Sequence, residues 1–238
     1  VENRGTGLIL SLATPSRQEL YGNRLTNTIR IENQGNIKCT NGTVSASSYL
    51  WDNKTTTGSS GVLGGSGYYS FGNVSSIETN KDFGLIKTSG QITDLEISGI
   101  YTVDGNSAKT IGNDSYIVGV NTSSSSDGQA MTISGSLTIN AKQGTGIGIL
   151  ANQLGSDDVS LKNNYSGQIY VTAKDAFGVK VGKNAAMDPS AAGDIYSLSV
   201  GELDIESTIT SGSTQGEATG IYAKSVKRDL TANAITVK

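Results

Sequence analysis

Histidine is absent from this 238-residue chain, and cysteine, proline and tryptophan are scarce, with one, two and one residues respectively. Without histidine there is no Ser-His-Asp or Cys-His catalytic group and no histidine general base, and most zinc sites lose their usual ligand. The single cysteine, Cys39, excludes an internal disulfide. We therefore predict a protein that has no metal site and no cofactor.

Long apolar runs and a strong charge of either sign are missing too. No segment approaches the roughly 18 apolar residues of a membrane span, and the first residues lack the apolar core of a signal peptide. The net charge of −3 creates no field that would attract a polyanion. The sequence predicts neither a membrane span in this chain nor a nucleic-acid partner.

What the chain has in abundance is glycine, serine and threonine, with 31, 31 and 25 residues. Strong helix formers are few, which argues against helices. Isoleucine, valine, leucine and tyrosine recur in alternating groups, a pattern that a disordered chain would not keep. This composition favours many short strands joined by tight turns.

A five-residue pattern of glycine, any residue, an apolar residue, any residue and a second apolar residue recurs about every 32 residues. We interpret its asparagine variant as a replacement for glycine at a bend with positive φ. The seven copies begin at Gly35, Gly67, Gly99, Gly135, Gly167, Gly201 and Asn233.

Two further apolar groups accompany each copy, one after it, such as Thr145-Gly146-Ile147, and one before it, such as Val159-Ser160-Leu161. Residues 6–10 look like the group that follows, from a coil cut at the N-terminus. Three strands per repeat with no crossover helix predict an all-β, three-sided, right-handed parallel β-helix of about seven coils of about 32 residues. We predict one domain over residues 1–238, a fragment of a longer surface protein.

Equivalent side chains of such a solenoid stack along its axis, so the motif predicts two interior columns. The first contains Ile37, Tyr69, Tyr101, Leu137, Ile169, Leu203 and Ile235, and the second contains Cys39, Phe71, Val103, Ile139, Val171, Ile205 and Val237.

Carboxylates remain as catalytic candidates, and Asp157-Asp158 is the best pair. The alternative for this pair is a polar turn before Val159. Asp204 and Glu206 alternate with apolar residues, which predicts the solvated face of a strand. The aromatic candidates for sugar stacking or protein contact are Tyr49, Trp51, Tyr68 and Tyr165, with packing under a loop as their alternative.

The glycine motif, the Thr145-Gly146-Ile147 and Thr219-Gly220-Ile221 segments and the cysteine-poor polar background resemble bacterial autotransporter passenger domains and related pectin-lyase-like β-helix surface proteins. The resemblance implies a secreted or surface-displayed rod whose export barrel is not in this chain. It implies a non-enzymatic adhesin or structural module that presents loops to host glycans, host proteins or other copies of itself. The alternatives are a polysaccharide lyase or hydrolase on the same fold and a trimeric tailspike-like receptor-binding module.

Overall fold

The computed structural model describes residues 2–13, 27–38, 43–44, 48–53, 59–70, 76–77, 82–88, 92–105, 116–124, 128–183, 188–208 and 216–238. Within these residues lie sixteen strands: β1 (Glu2–Ala13), β2 (Asn27–Lys38), β3 (Thr43–Val44), β4 (Ser48–Asn53), β5 (Ser59–Ser70), β6 (Ser76–Ile77), β7 (Asp82–Thr88), β8 (Ile92–Ile97), β9 (Ile100–Asp104), β10 (Tyr116–Thr122), β11 (Met131–Ile133), β12 (Ser136–Ala151), β13 (Asn164–Val181), β14 (Asp194–Ser207), β15 (Glu217–Tyr222) and β16 (Ser225–Val237).

The described part of the chain contains no α-helix, and its one helical turn is a 3₁₀ turn at Pro189–Ala191. Asp188 caps this turn, since its side chain accepts a hydrogen bond from the Ser190 amide at 2.9 Å. The all-β prediction is confirmed.

Parallel pairing from coil to coil produces three faces. The first face contains the C-terminal ends of β2, β5 and β16, strand β9, and residues 136–141, 168–173 and 202–207. The second face contains β4, β7, β10, β15 and residues 145–151 and 175–181. The third face contains β8, β11 and the N-terminal parts of the long strands β2, β5, β13, β14 and β16. The fold is a three-sided parallel β-solenoid, as predicted.

The number of coils differs from the prediction. About four complete coils lie between Ile92 and Tyr222, whereas the glycine motif predicts seven. The copies at Gly35 and Gly67 lie in β2 and β5, and the copy at Asn233 lies in β16, so these strands extend the first-face ladder at both ends.

The predicted interior columns are correct from β9 to β14. Tyr101, Leu137, Ile169 and Leu203 lie in register, and each is at most 1% exposed. The columns fail at their C-terminal end, where Ile235 and Val237 are 44% and 48% exposed. The reason is that no described strand stacks on the outer edge of β16.

The columns are also wrong between β5 and β9, where the register is shifted by two residues. Gly67 lies opposite Tyr101, and Tyr69 lies opposite Val103 instead of Tyr101. The glycine that stacks with Gly99 is Gly65, whose φ is +87°. The predicted column residues Cys39 and Phe71 lie outside the described residues.

The motif glycines are needed for a different reason from the predicted one. Positive φ occurs at Gly65 and Gly155 among the described glycines, not at Gly99, Gly135, Gly167 and Gly201. A Cβ at Gly135 would lie 1.8 Å from the Gly99 carbonyl oxygen, and one at Gly167 would lie 1.8 Å from that of Gly135. Glycine is therefore required because successive coils approach too closely for a side chain.

Strand β1 does not continue the parallel solenoid, contrary to the prediction for residues 6–10. It pairs antiparallel with β2, from Glu2 opposite Lys38 to Ala13 opposite Thr28. An antiparallel strand gives β2 a hydrogen-bonding partner on the side away from β5, where an open edge would otherwise be left.

The predicted strand at Val159-Ser160-Leu161 is a turn. Val159 is 69% exposed, and the Leu161 amide donates to the Asp158 carbonyl oxygen at 3.2 Å. Leu154 contributes an apolar side chain to the core at this level, since it is fully buried. Its backbone forms parallel β-bridges with Gln129 and with Ile195.

Candidate functional site

The outer side of the first face carries side chains in straight rows, because parallel in-register strands repeat equivalent positions about 4.8 Å apart. These side chains alternate along each strand with the buried core residues. One row, here called the tyrosine row, consists of Tyr68, Thr102, Thr138, Tyr170, Asp204 and Thr236.

Tyr68 lies in this row because the register between β5 and β9 is shifted by two residues from the predicted one. In the predicted register it would lie beside Ile100, but it pairs with Thr102. Its hydroxyl donates to Asp104 Oδ2 at 2.5 Å. Partial burial and this hydrogen bond raise the pKa of the Tyr68 phenol, so the group stays a neutral donor at physiological pH.

Acidic groups dominate the charge of the described side chains on the outer first face. The carboxylates are those of Asp104, Glu202, Asp204 and Glu206, and the one described cation among them is Lys238, whose Nζ lies 3.1 Å from Asp204 Oδ1. Glu202 accepts a hydrogen bond from Gln168 Nε2 at 2.8 Å. Asp204 and Glu206 thus lie on an outer strand face, as predicted.

The Asp157-Asp158 pair forms an exposed turn. Asp158 Oδ1 accepts hydrogen bonds from the Ser160 amide at 2.9 Å and from its hydroxyl at 2.7 Å. These two bonds lower the pKa of Asp158. The hydrogen bonds within residues 158–160 are those of a polar turn, which is the alternative that the sequence offered for this pair.

Arg228 is a neighbour of this turn that the sequence did not indicate. Its guanidinium donates to the Ser156 carbonyl oxygen at 2.6 Å and lies 5.9 Å from the centroid of the Tyr196 ring. Arg228 and Ser156 are 72 residues apart in the chain. No local sequence pattern could have brought them together.

The other aromatic candidates do not join Tyr68. Tyr165 is fully buried, and burial raises the pKa of its phenol, so it has no surface to offer a ligand. Tyr49 lies on the second face, where its hydroxyl accepts a hydrogen bond from Asn121 Nδ2 at 3.1 Å. The backbone of Trp51 lies in β4 opposite Ile86, and its side chain lies outside the described residues.

Lys180 is a buried cationic residue that alternation alone would place in solvent. It is 1% exposed, and its Nζ lies 4.4 Å from the Phe177 ring centroid and 5.3 Å from that of Tyr222. Burial lowers the pKa of Lys180 to about 8, although Glu217 and Asp175 favour its charged form. Lys180 is buried because the outer side of the second face carries its own apolar cluster of Val118, Ile147, Leu150 and Phe177.

Within the described ranges, no three metal-ligating side chains lie close enough together to hold an ion. No helix there has the length and apolar character needed to cross a membrane.

Comparison of the chain with protein-family models, curated proteins and solved structures finds no match. The β-solenoid is established by its own strand pairing. The resemblance to autotransporter passenger domains stays a prediction from the motifs.

Proposed function

We propose that this chain is a non-enzymatic binding module, an adhesin or surface structural module of the autotransporter passenger type that acts outside the cell. The observation that carries the proposal is the outer first face. Over successive coils it presents partly exposed polar and aromatic side chains in regular rows.

A face of this kind suits binding because its backbone is already ordered. Strands β12 and β13 are hydrogen-bonded to a neighbouring strand on each side. A ligand that binds there does not have to order a loop, and ordering is one of the main free-energy costs of association.

The polar groups of the face are paired at separate positions along it. Tyr68 bonds Asp104, Gln168 bonds Glu202, and Lys238 bonds Asp204. Catalysis requires a nucleophile or base and its partners to converge on one reacting atom. An extended series of separate pairs is better suited to contact with an extended partner.

The test is binding of the purified chain to immobilised neutral and acidic polysaccharides and to extracellular-matrix proteins, measured by biolayer interferometry. We expect saturable binding to at least one ligand by the folded chain and none by the urea-unfolded chain. Failure to bind any ligand would contradict the proposal. An obligate trimer in sedimentation would favour the tailspike-like alternative.

A further inference from the structure

Two tyrosines of the tyrosine row stand in line with the solenoid axis. Tyr68 lies on β5 and Tyr170 on β13, and both side chains are partly exposed. The register connects them through Thr102 and Thr138, which is three interstrand steps or about 14 Å. The face therefore carries two aromatic rings with shorter threonine side chains between them.

This arrangement suits a ligand that is itself periodic and extended. Aromatic rings offer apolar surface to the C–H faces of sugar rings, while threonine hydroxyls and carboxylates can bond sugar hydroxyls. A peptide strand could not add to the sheet here, because β12 and β13 are already paired on both edges.

The charge of the face restricts the kind of polysaccharide. Among the described side chains, this face carries four carboxylates and one ammonium group. The carboxylates are those of Asp104, Glu202, Asp204 and Glu206, and the ammonium group is that of Lys238. Like charges across an interface disfavour association, so uronate-rich or sulfated chains are poor ligands for this surface.

We infer that the tyrosine row binds a linear polysaccharide without acidic groups, which lies along the solenoid axis and stacks on Tyr68 and Tyr170. This inference rests on the proposed function and narrows it to one class of ligand and one face of the solenoid.

The test is isothermal titration calorimetry of the full chain with long cello- and chito-oligosaccharides, compared with polygalacturonate and heparin. We expect measurable affinity for the uncharged oligosaccharides and none for the acidic chains. Tyr68→Ala and Tyr170→Ala should each weaken binding by about tenfold, as expected when a central aromatic contact is lost. Preference for the acidic chains would overturn the inference.

The matched control is Tyr196→Ala, because Tyr196 is a partly exposed tyrosine on the third face. It should leave the affinity unchanged. Tyr68→Phe loses the hydrogen bond to Asp104 but keeps the ring, so it should bind like the wild type. Thermal unfolding midpoints of all variants will show whether a loss of binding reflects a loss of fold.

The outcomes distinguish this inference from the proposed function. Oligosaccharide binding that survives the Tyr68→Ala, Tyr170→Ala double substitution would overturn the inference and leave the adhesin proposal standing. Binding to matrix proteins without binding to any glycan would do the same. Binding to neither class would contradict both.

Discussion

At the scale of single residues, two buried amide side chains connect neighbouring coils. Gln129 Oε1 accepts from the Ile92 amide at 3.1 Å, and Asn163 Oδ1 accepts from the Met131 amide at 3.2 Å. Asn163 Nδ2 donates to the Gln129 carbonyl oxygen at 2.7 Å and to that of Ser197 at 3.3 Å. Gln129 and Asn163 are at most 1% exposed, so water cannot reach the backbone groups that they bond.

Asn163→Ala should lower the free energy of unfolding by about 1–3 kcal/mol, because it leaves buried backbone groups without partners. Urea denaturation monitored by circular dichroism measures the effect. Asn140→Ala, on the partly exposed outer first face, is the control and should change stability by at most about 0.5 kcal/mol. Equal effects of the two substitutions would refute the role given to Asn163.

The close approach of coils gives a second prediction. Gly135→Ala should destabilise by about 2 kcal/mol or more, because its Cβ would lie 1.8 Å from a backbone oxygen that cannot move alone. Gly64→Ala is the control, since the nearest atom to its Cβ would be Ser98 Oγ at an ordinary 3.6 Å. A thermal midpoint of Gly135→Ala that matches Gly64→Ala would contradict the packing explanation.

Lys180 makes the stability of the folded chain depend on pH. Burial holds its pKa at about 8 in the folded chain, below the ordinary 10.5, so the unfolded chain binds more protons between these two values. The contribution of Lys180 to stability is therefore unfavourable and constant below about pH 8, and it improves as the pH rises towards 10.5. Nearby Asp175 and Glu217 oppose the shift without cancelling it.

Lys180→Met should remove this dependence and stabilise the chain at pH 7, where the wild type buries a charge. The measurement is the difference in free energy of unfolding between variant and wild type at pH 7 and at pH 10. We expect the difference to shrink at pH 10. A difference that stays constant would show that Lys180 keeps an ordinary pKa.

At the scale of elements, the first-face segments from β9 to β14 and their inward sides could be predicted, because both depend on local alternation of apolar residues. The register of β5 could not. Gly65 and Gly67 are two residues apart, and a shift by two residues keeps every side chain on the same face. Alternation is satisfied in both registers, so the pattern cannot choose between them. In the observed register Gly65 lies against Gly99, and the Tyr101 hydroxyl donates to the Gly64 carbonyl oxygen.

The direction of β1 and the burial of Lys180 also could not be predicted from the sequence. Leu8 and Leu10 alternate in the same way whether β1 runs parallel or antiparallel to its neighbour, so the pattern carries no information on direction. The row that includes Tyr170 could have been found from the third residue after each motif glycine. Its continuation to Tyr68 required the register.

The two terminal strands of the solenoid differ in pairing. Strand β2 is covered by β1, whereas β16 pairs with β14 alone among the described strands. Apolar side chains are left exposed on β16: Val226, Leu230, Ile235 and Val237. An unpaired edge with apolar side chains favours self-association.

We predict that the chain self-associates through β16, and that replacing Ile235 and Val237 together by lysine weakens this association by about tenfold, because charge would then lie at the open edge. Sedimentation velocity over a range of concentrations provides the readout. Ile100→Lys is the control, as Ile100 is 63% exposed on the outer first face. If that control weakens association equally, β16 is not the contact.

At the scale of the whole molecule, the residues that stabilise the solenoid are separate from those of the proposed binding face. The core columns and the buried amides connect coil to coil along the axis, and most outer first-face side chains are not needed to fill the core. This separation allows the outer rows to vary in sequence without loss of the fold, a property expected of repeat proteins that present a binding surface.

The most direct measurement of the central claim is the length of a polysaccharide before and after binding to the chain. Each polysaccharide that binds is incubated with excess protein, with and without calcium, and assayed for new reducing ends and by size-exclusion chromatography. We predict retention of the polysaccharide at unchanged length. New reducing ends that depend on the folded chain would contradict a non-enzymatic binding module and identify the protein as a polysaccharide-degrading enzyme.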